Sequence, residues 1–167
     1  MCQLFEPTYN AASTQKLPII INQSPQDIQL ASWGLKPAWL KDRPEGFIQR
    51  HKNLIPGAGF VNARAETLSE KPAFREAFKR RRCLVIASGF YEWDKKSKVK
   101  TPYYFKKIDN GLFAFASLYE QADNQTTFAI LTCGPNMLVH RIHERMPVIL
   151  QPDDENHGWI IRLIPRP

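Results

Sequence analysis

Long hydrophobic runs are missing from this 167-residue sequence. No stretch approaches the roughly 18 apolar residues that a membrane-crossing helix needs, so no membrane partner is expected. Cysteine is scarce. Cys2, Cys83 and Cys133 are an odd number set far apart, which argues against a disulfide framework and a Cys-x-x-Cys metal clamp and fits a reducing compartment. The first residues lack a basic stretch followed by an apolar one, so no secretory signal is expected. Internal repeats, low-complexity tracts and convincing linkers are also lacking. Apolar residues still make up 43% of the chain, enough for a core. The expectation is one cytoplasmic domain over residues 1–167.

Negative charge is in the minority, and unevenly so. The net charge is +7, with a pI near 9.5. Residues 1–110 carry 19 Lys and Arg against 10 Asp and Glu, whereas residues 111–167 carry 4 against 6. A basic half of this kind suits a polyanion, although solubility explains it equally well.

The apolar pattern predicts short strands at Leu17–Ile21, Asp27–Trp33, Phe60–Ala65, Cys83–Ala87, Gly89–Trp93, Tyr103–Lys106, Leu112–Leu118, Thr127–Thr132 and Met146–Leu150. Residues 36–59, rich in Pro and Gly, read as a long loop of the kind that is usually functional or disordered. The spacing predicts a helix over Ser69–Arg81, with Pro72 in its first turn and a stripe of Ala73, Phe74, Ala77 and Phe78. Shorter helices are expected at Met137–His143 and Glu155–Leu163. The expected fold class is α+β: a curved, mainly antiparallel, barrel-like sheet with a few short helices.

Several positions carry residue types suited to chemistry. If Met1 is removed, Cys2 presents an α-amine beside a thiol. The amine titrates near pH 8, so part of it is neutral at pH 7. It can form a Schiff base with an aldehyde, and the thiol can then close a thiazolidine ring. The thiol can instead attack an acyl carbon, with the amine as base. Glu92 lies between aromatics in Gly89-Phe90-Tyr91-Glu92-Trp93. Facing inward, it would have a raised pKa and suit acid–base work; facing outward, it is an ordinary surface carboxylate. His143 precedes a strand, with Arg145 nearby, and suits proton transfer or a structural role. Cys133 and His140 complete no known zinc spacing. In an extended Asn62-Ala63-Arg64-Ala65-Glu66-Thr67, the residues Asn62, Arg64 and Glu66 share one face. Asn62 and Arg64 together suit a phosphate or a nucleotide edge, while Arg64 and Glu66 equally suit a surface ion pair. Trp33, Trp39 and Trp93 stand among basic residues, as in single-strand stacking surfaces, or serve the core. Lys79-Arg80-Arg81-Arg82 complements a helix C-terminus or lines a backbone-binding rim.

Taken together, these segments resemble the SOS response-associated peptidase family, the abasic-site DNA–protein crosslinking domain. Four ordered blocks carry the resemblance: Met1-Cys2; Asn62-Ala63-Arg64-Ala65-Glu66-Thr67; Arg82-Cys83-Leu84 running into Gly89-Phe90-Tyr91-Glu92-Trp93; and His143-Glu144-Arg145-Met146-Pro147-Val148-Ile149-Leu150. Trp33-Gly34-Leu35 supports them, and the similarity covers almost the whole chain. It implies self-removal of Met1 and a covalent thiazolidine between Cys2 and the aldehyde of an abasic site in single-stranded DNA. It also implies Glu92 as the acid–base group for sugar opening and Schiff-base proton transfers. His143 would serve proton transfer and reversal, and Asn62 would orient the N-terminus and the sugar. Arg64, Trp93, Thr132 and Arg145 fall where the family contacts DNA.

The scheme calls for no metal or organic cofactor. The expected protein is a monomer that joins the nucleoid when bound to DNA. The family usually begins Met-Cys-Gly-Arg, whereas Gln3 and Leu4 follow Cys2 here, which removes a cation beside the nucleophile. Two other functions share these residues. One is an N-terminal cysteine protease or amidase acting on other proteins; the second is a non-covalent single-strand-binding module.

Overall fold

The computed structural model describes residues 6–40, 54, 55, 57–94 and 98–151. Cys2, Gln3 and Leu4, the expected helix at Glu155–Leu163 and most of the expected 36–59 loop lie outside the described residues. Among the described residues, ten strands carry the fold: β1 (Lys16–Ile21), β2 (Ser24–Trp33), β3 (Asn62–Arg64), β4 (Arg82–Ala87), β5 (Gly89–Trp93), β6 (Pro102–Lys106), β7 (Phe113–Ala122), β8 (Gln125–Cys133), β9 (Met146–Pro147) and β10 (Ile149–Leu150).

Five of these strands close a ring. β7 pairs with β4, β4 with β1, β1 with β2, β2 with β8, and β8 again with β7. The pairings are antiparallel except for β2–β8 and β3–β8, which are parallel. The curved, mainly antiparallel sheet expected from the sequence is therefore present, with few helices beside it. β5 and β6 form a two-stranded sheet of their own.

Alternation along β7 shows how the sequence builds the ring. Phe113, Phe115 and Tyr119 point one way and join Ile19, Ile21, Ala31, Cys83, Val85, Phe128 and Ile130. This cluster draws on all five ring strands and fills the interior. Ala114, Ala116 and Leu118 point the other way and join Leu35, Phe60, Leu68, Phe74 and Ala77 on the outside. β7 is thus buried on both faces, which explains its nearly unbroken apolar run. A two-residue turn, Asp123-Asn124, links β7 to β8, and both residues have positive φ (52° and 58°). This is the hairpin turn whose twist matches the strands.

The helix expected over Ser69–Arg81 is shorter than its pattern. Only Arg75–Arg80 is α-helical (α1). Pro72 stands in a tighter turn ahead of it, in which Phe74 N donates to Lys71 O at 2.9 Å. The apolar stripe still holds, with Phe74 and Ala77 buried and Ala73 and Phe78 packed against the outer cluster. Met137–His143 narrows to a 3-10 turn at Val139–Arg141. The expected strand Met146–Leu150 divides at Val148. β9 pairs with β8 and β10 with β7, while Val148 donates to Leu131 O and accepts from Ala116 N, both at 2.9 Å. The segment therefore fills the place where β7 and β8 diverge.

Candidate active site

The alternation of β5 positions the first functional side chain. Phe90 stacks on Phe105 across the hairpin, with centroids 5.1 Å apart, and meets Phe115 edge-on at 6.1 Å. That face packs against the ring interior. Glu92, two residues on, shares it, and its side chain is 21% exposed. Tyr91 and Trp93 take the opposite face and stay exposed, at 40% and 47%. Tyr91 lies against Tyr104, with centroids 4.9 Å apart.

His143 enters from the turn before β9. Asn136 opens that turn, its Oδ1 accepting from the N–H groups of Leu138 (3.1 Å) and Val139 (2.9 Å). This is what an Asn ahead of a helical turn offers the free backbone donors. The backbone N–H of His143 then donates to Val139 O at 2.8 Å. The imidazole is largely buried and places Nδ1 3.7 Å from Oε2 of Glu92. The same nitrogen lies 3.1 Å from the backbone N of Arg145 and 3.0 Å from its carbonyl O. A bare Nδ1 accepts from that N–H, and a protonated Nδ1 donates to that carbonyl. Both protonation states thus find a partner at one atom. At 3.7 Å the carboxylate is beyond hydrogen-bond range, yet close enough to attract an imidazolium.

Arg145 is held on its other side by Glu66 and β8. Nη1 donates to Glu66 Oε1 at 2.7 Å and Nη2 to Oε2 at 2.9 Å, a two-pronged ion pair. Nη2 also donates to Thr132 O at 2.5 Å and Oγ1 at 3.2 Å. The bond from Arg145 holds the Glu66 carboxyl below its ordinary value of 4.5. Thr132 stands opposite Arg64 of β3 and Pro147 of β9 in the sheet register. Its neighbour Cys133 has its thiol pushed up by burial, with the Arg145 charge opposing.

The expected face shared by Asn62, Arg64 and Glu66 is broken. β3 stops at Arg64, and Ala65–Thr67 turns as a 3-10 helix. Glu66 leaves the extended line and pairs with Arg145 instead of Arg64, although the Arg64 charge still reaches it. Asn62 and Arg64 remain exposed on either side of buried Ala63. The structure connects Glu92, His143, Arg145 and Thr132 and adds Glu66. It sets Asn62 and Arg64 on the adjoining strand and Trp93 on the far face of the hairpin. Sequence reading weighs Glu66 only as a partner for Arg64, since no local pattern reports a partner 79 residues away.

A closed β-ring with an attached hairpin thus sets a carboxylate against an imidazole beside a fixed arginine. The chain belongs to the SOS response associated peptidase (SRAP) family, whose model matches residues 2–163. The abasic site processing protein YoaM of Bacillus subtilis (strain 168) is 39% identical over 163 residues, an alignment spanning 93% of this chain and 66% of YoaM. The abasic site processing protein YMR114C of Saccharomyces cerevisiae (strain ATCC 204508 / S288c) is 33% identical over 161 residues, spanning 94% of this chain and 41% of that protein. A crystal structure of a Bacteroides thetaiotaomicron protein superposes with a TM-score of 0.72 at 33% identity, covering 87% of this chain and 62% of that one. The chain thus spans about two thirds of the length of the Bacillus relative.

Proposed function

We propose that this chain acts on abasic sites in single-stranded DNA and binds them covalently through Cys2 once Met1 is removed. Relatives named abasic site processing proteins support the substrate. The observation that carries the chemistry is the Glu92 carboxylate 3.7 Å from His143 Nδ1 on a half-buried face. Glu92 donates a proton to the ring oxygen of the abasic sugar as the bond from C1 to that oxygen breaks, and the C1 hydroxyl gives up its proton to a base, which leaves the aldehyde. The α-amine of Cys2 adds to that aldehyde, and loss of one water gives the Schiff base. The thiol then adds to the imine carbon, the imine nitrogen takes up a proton in exchange for the thiol's, and a thiazolidine closes. His143 carries protons in these steps and in their reversal, and Asn62 orients the amine and the sugar.

The exposed Arg64, with Trp93, Thr132 and Arg145, forms the DNA-facing rim. Phosphate contacts dominate such binding, so affinity is independent of sequence and falls steeply with salt. A flexible strand brings the sugar to the N-terminus without duplex melting. The protein acts as a monomer in the cytoplasm.

The test mixes protein beginning at Cys2 with abasic single-stranded DNA and looks for a band that survives denaturation. The adduct mass should equal protein plus DNA less one water. Absence of any adduct, with or without borohydride, leaves acyl transfer or non-covalent binding in its place.

A further inference from the structure

Glu66 lies far from the Glu92 carboxylate in sequence and belongs to neither the nucleophile nor the proton-transfer pair. Its carboxylate is nevertheless committed in full: both oxygens take a guanidinium N–H of Arg145, at 2.7 and 2.9 Å. The same guanidinium is tied to β8 through Thr132. The side chain of Arg145 is thus fixed at two points, and its backbone is tethered to both through that side chain. That backbone is what meets His143, through an N–H at 3.1 Å and a carbonyl at 3.0 Å from Nδ1.

We propose that Glu66 is a positioning residue for His143, acting through the side chain and then the backbone of Arg145. The inference rests on the proton-transfer role given to His143 above. Its physical content is a socket with two polarities. The Arg145 N–H holds the neutral ring with its proton on Nε2, and the Arg145 carbonyl holds a protonated Nδ1. A ring that gains and loses a proton needs a partner in both states, in one orientation. Glu66 supplies no partner itself; it keeps the socket from drifting. Without it, a partly buried guanidinium loses its counter-charge and its hold on the turn, and the ring is free to rotate away from Glu92. Misplacement of a proton donor on this scale costs on the order of ten-fold or more in rate.

The test uses full-length protein labelled with 15N at its histidines, His51, His140, His143 and His157. The His143 ring signals are assigned by their loss in His143→Ala. Glu92 from β5 stands 3.7 Å from this ring, and Arg145 meets it from its own segment, with Glu66 and the Cys133 thiol beside Arg145. Each therefore stays wild type except the one under test.

In Glu66→Ala and Glu66→Gln, the His143 ring shifts should move toward those of a solvent-exposed histidine with mixed tautomers, and its titration midpoint should move. The crosslinking rate should fall on the order of ten-fold, with a displaced pH profile. Glu66→Asp, which keeps the carboxylate, should recover part of both effects. In a His143→Ala background, Glu66→Ala should change the rate by less than about two-fold, because the residues act as one unit.

Unchanged His143 shifts in folded Glu66→Ala and Glu66→Gln overturn the inference. So does an equal loss of rate with and without His143. If wild-type protein forms no crosslink, the proposed function fails, and the nitrogen shifts alone still decide the coupling of Glu66 to His143.

Discussion

Phe90 and Glu92 stand two residues apart on β5 and point the same way, one ring packed on Phe105 and Phe115, the other side chain turned to His143. Among the described residues the hairpin shares no strand pairing with the barrel. Glu92 stands opposite Tyr103 in the hairpin's own ladder, while Phe90 packs the face that carries Glu92 against the interior. Burial of such a ring stabilises by about 2 kcal/mol, enough to dock a short hairpin that would be marginal alone.

Glu92→Gln keeps the size and shape of the side chain and removes the transferable proton. Crosslinking to abasic single-stranded DNA should slow, by about two orders of magnitude for a lost general acid. The deficit should narrow as the solution is acidified, because solvent then assists sugar opening. The melting temperature should hold within a few degrees. A time course by denaturing gel, paired with a thermal melt, checks this; a rate equal to wild type would remove Glu92 from the mechanism.

Cys2→Ala retains an α-amine without a thiol. It should give little stable adduct alone and a trapped adduct when borohydride reduces the imine. Cys2→Ser should behave in the same way, since an oxazolidine is less stable than a thiazolidine. A variant that forms the full adduct without reductant would show that the thiol is not needed.

Gly34 directly follows β2 with φ at +135°, donating its N–H to Phe128 O at 2.8 Å. A Cβ built there would lie 1.8 Å from the carbonyl O of Ala58. Both the backbone conformation and the space demand glycine. Gly34→Ala should destabilise the protein by at least about 2 kcal/mol, as strain and overpacking add. Urea titration gives the value, and a loss below about half a kcal/mol would contradict the close approach.

Cys83 is fully buried in the ring interior, and burial pushes its thiol well above the ordinary value of 9.0. At neutral pH it should resist iodoacetamide in the folded protein and label only on denaturation. Cys133, half-buried with its thiol also raised, should label slowly. Mass spectrometry of tryptic peptides reports each site. Fast labelling of Cys83 under native conditions would mean that the ring opens readily.

The Glu66 carboxyl is depressed by its bond to Arg145. A depressed folded value means that the pair stabilises the protein above the ordinary carboxyl value of 4.5, and that this contribution is lost as pH falls through the lowered value. The effect is small, because the Glu66 side chain is half exposed. Wild type should melt slightly above Glu66→Gln near neutral pH, and the gap should close as the pH falls from 4.5 through the lowered value. A gap of constant size across that range would assign it to packing rather than charge.

What the sequence by itself determined is what depends on neighbours along the chain. Gly89–Trp93 is a strand with Glu92 in step with Phe90 because side chains alternate. The stripe of Phe74 and Ala77 faces the core wherever the helix begins. The motif blocks, read as an ordered set, carry the family. Only the tertiary structure decided which distant groups meet. Alternation shows that β7 is apolar on both faces, but not that β8 and β2 join it to close a ring, since strand pairing is set by hydrogen bonds between segments remote in sequence. In the same way Arg64 is the nearest cation to Glu66 along the chain, and an extended strand would bring them together. The 3-10 turn at Ala65–Thr67 ends that geometry, and the parallel pairing of β3 with β8 brings Thr132 and Arg145 within reach instead. A bidentate carboxylate–guanidinium fork needs two planar groups edge to edge in one plane, and that fit is made by the folded sheet rather than by spacing along the chain.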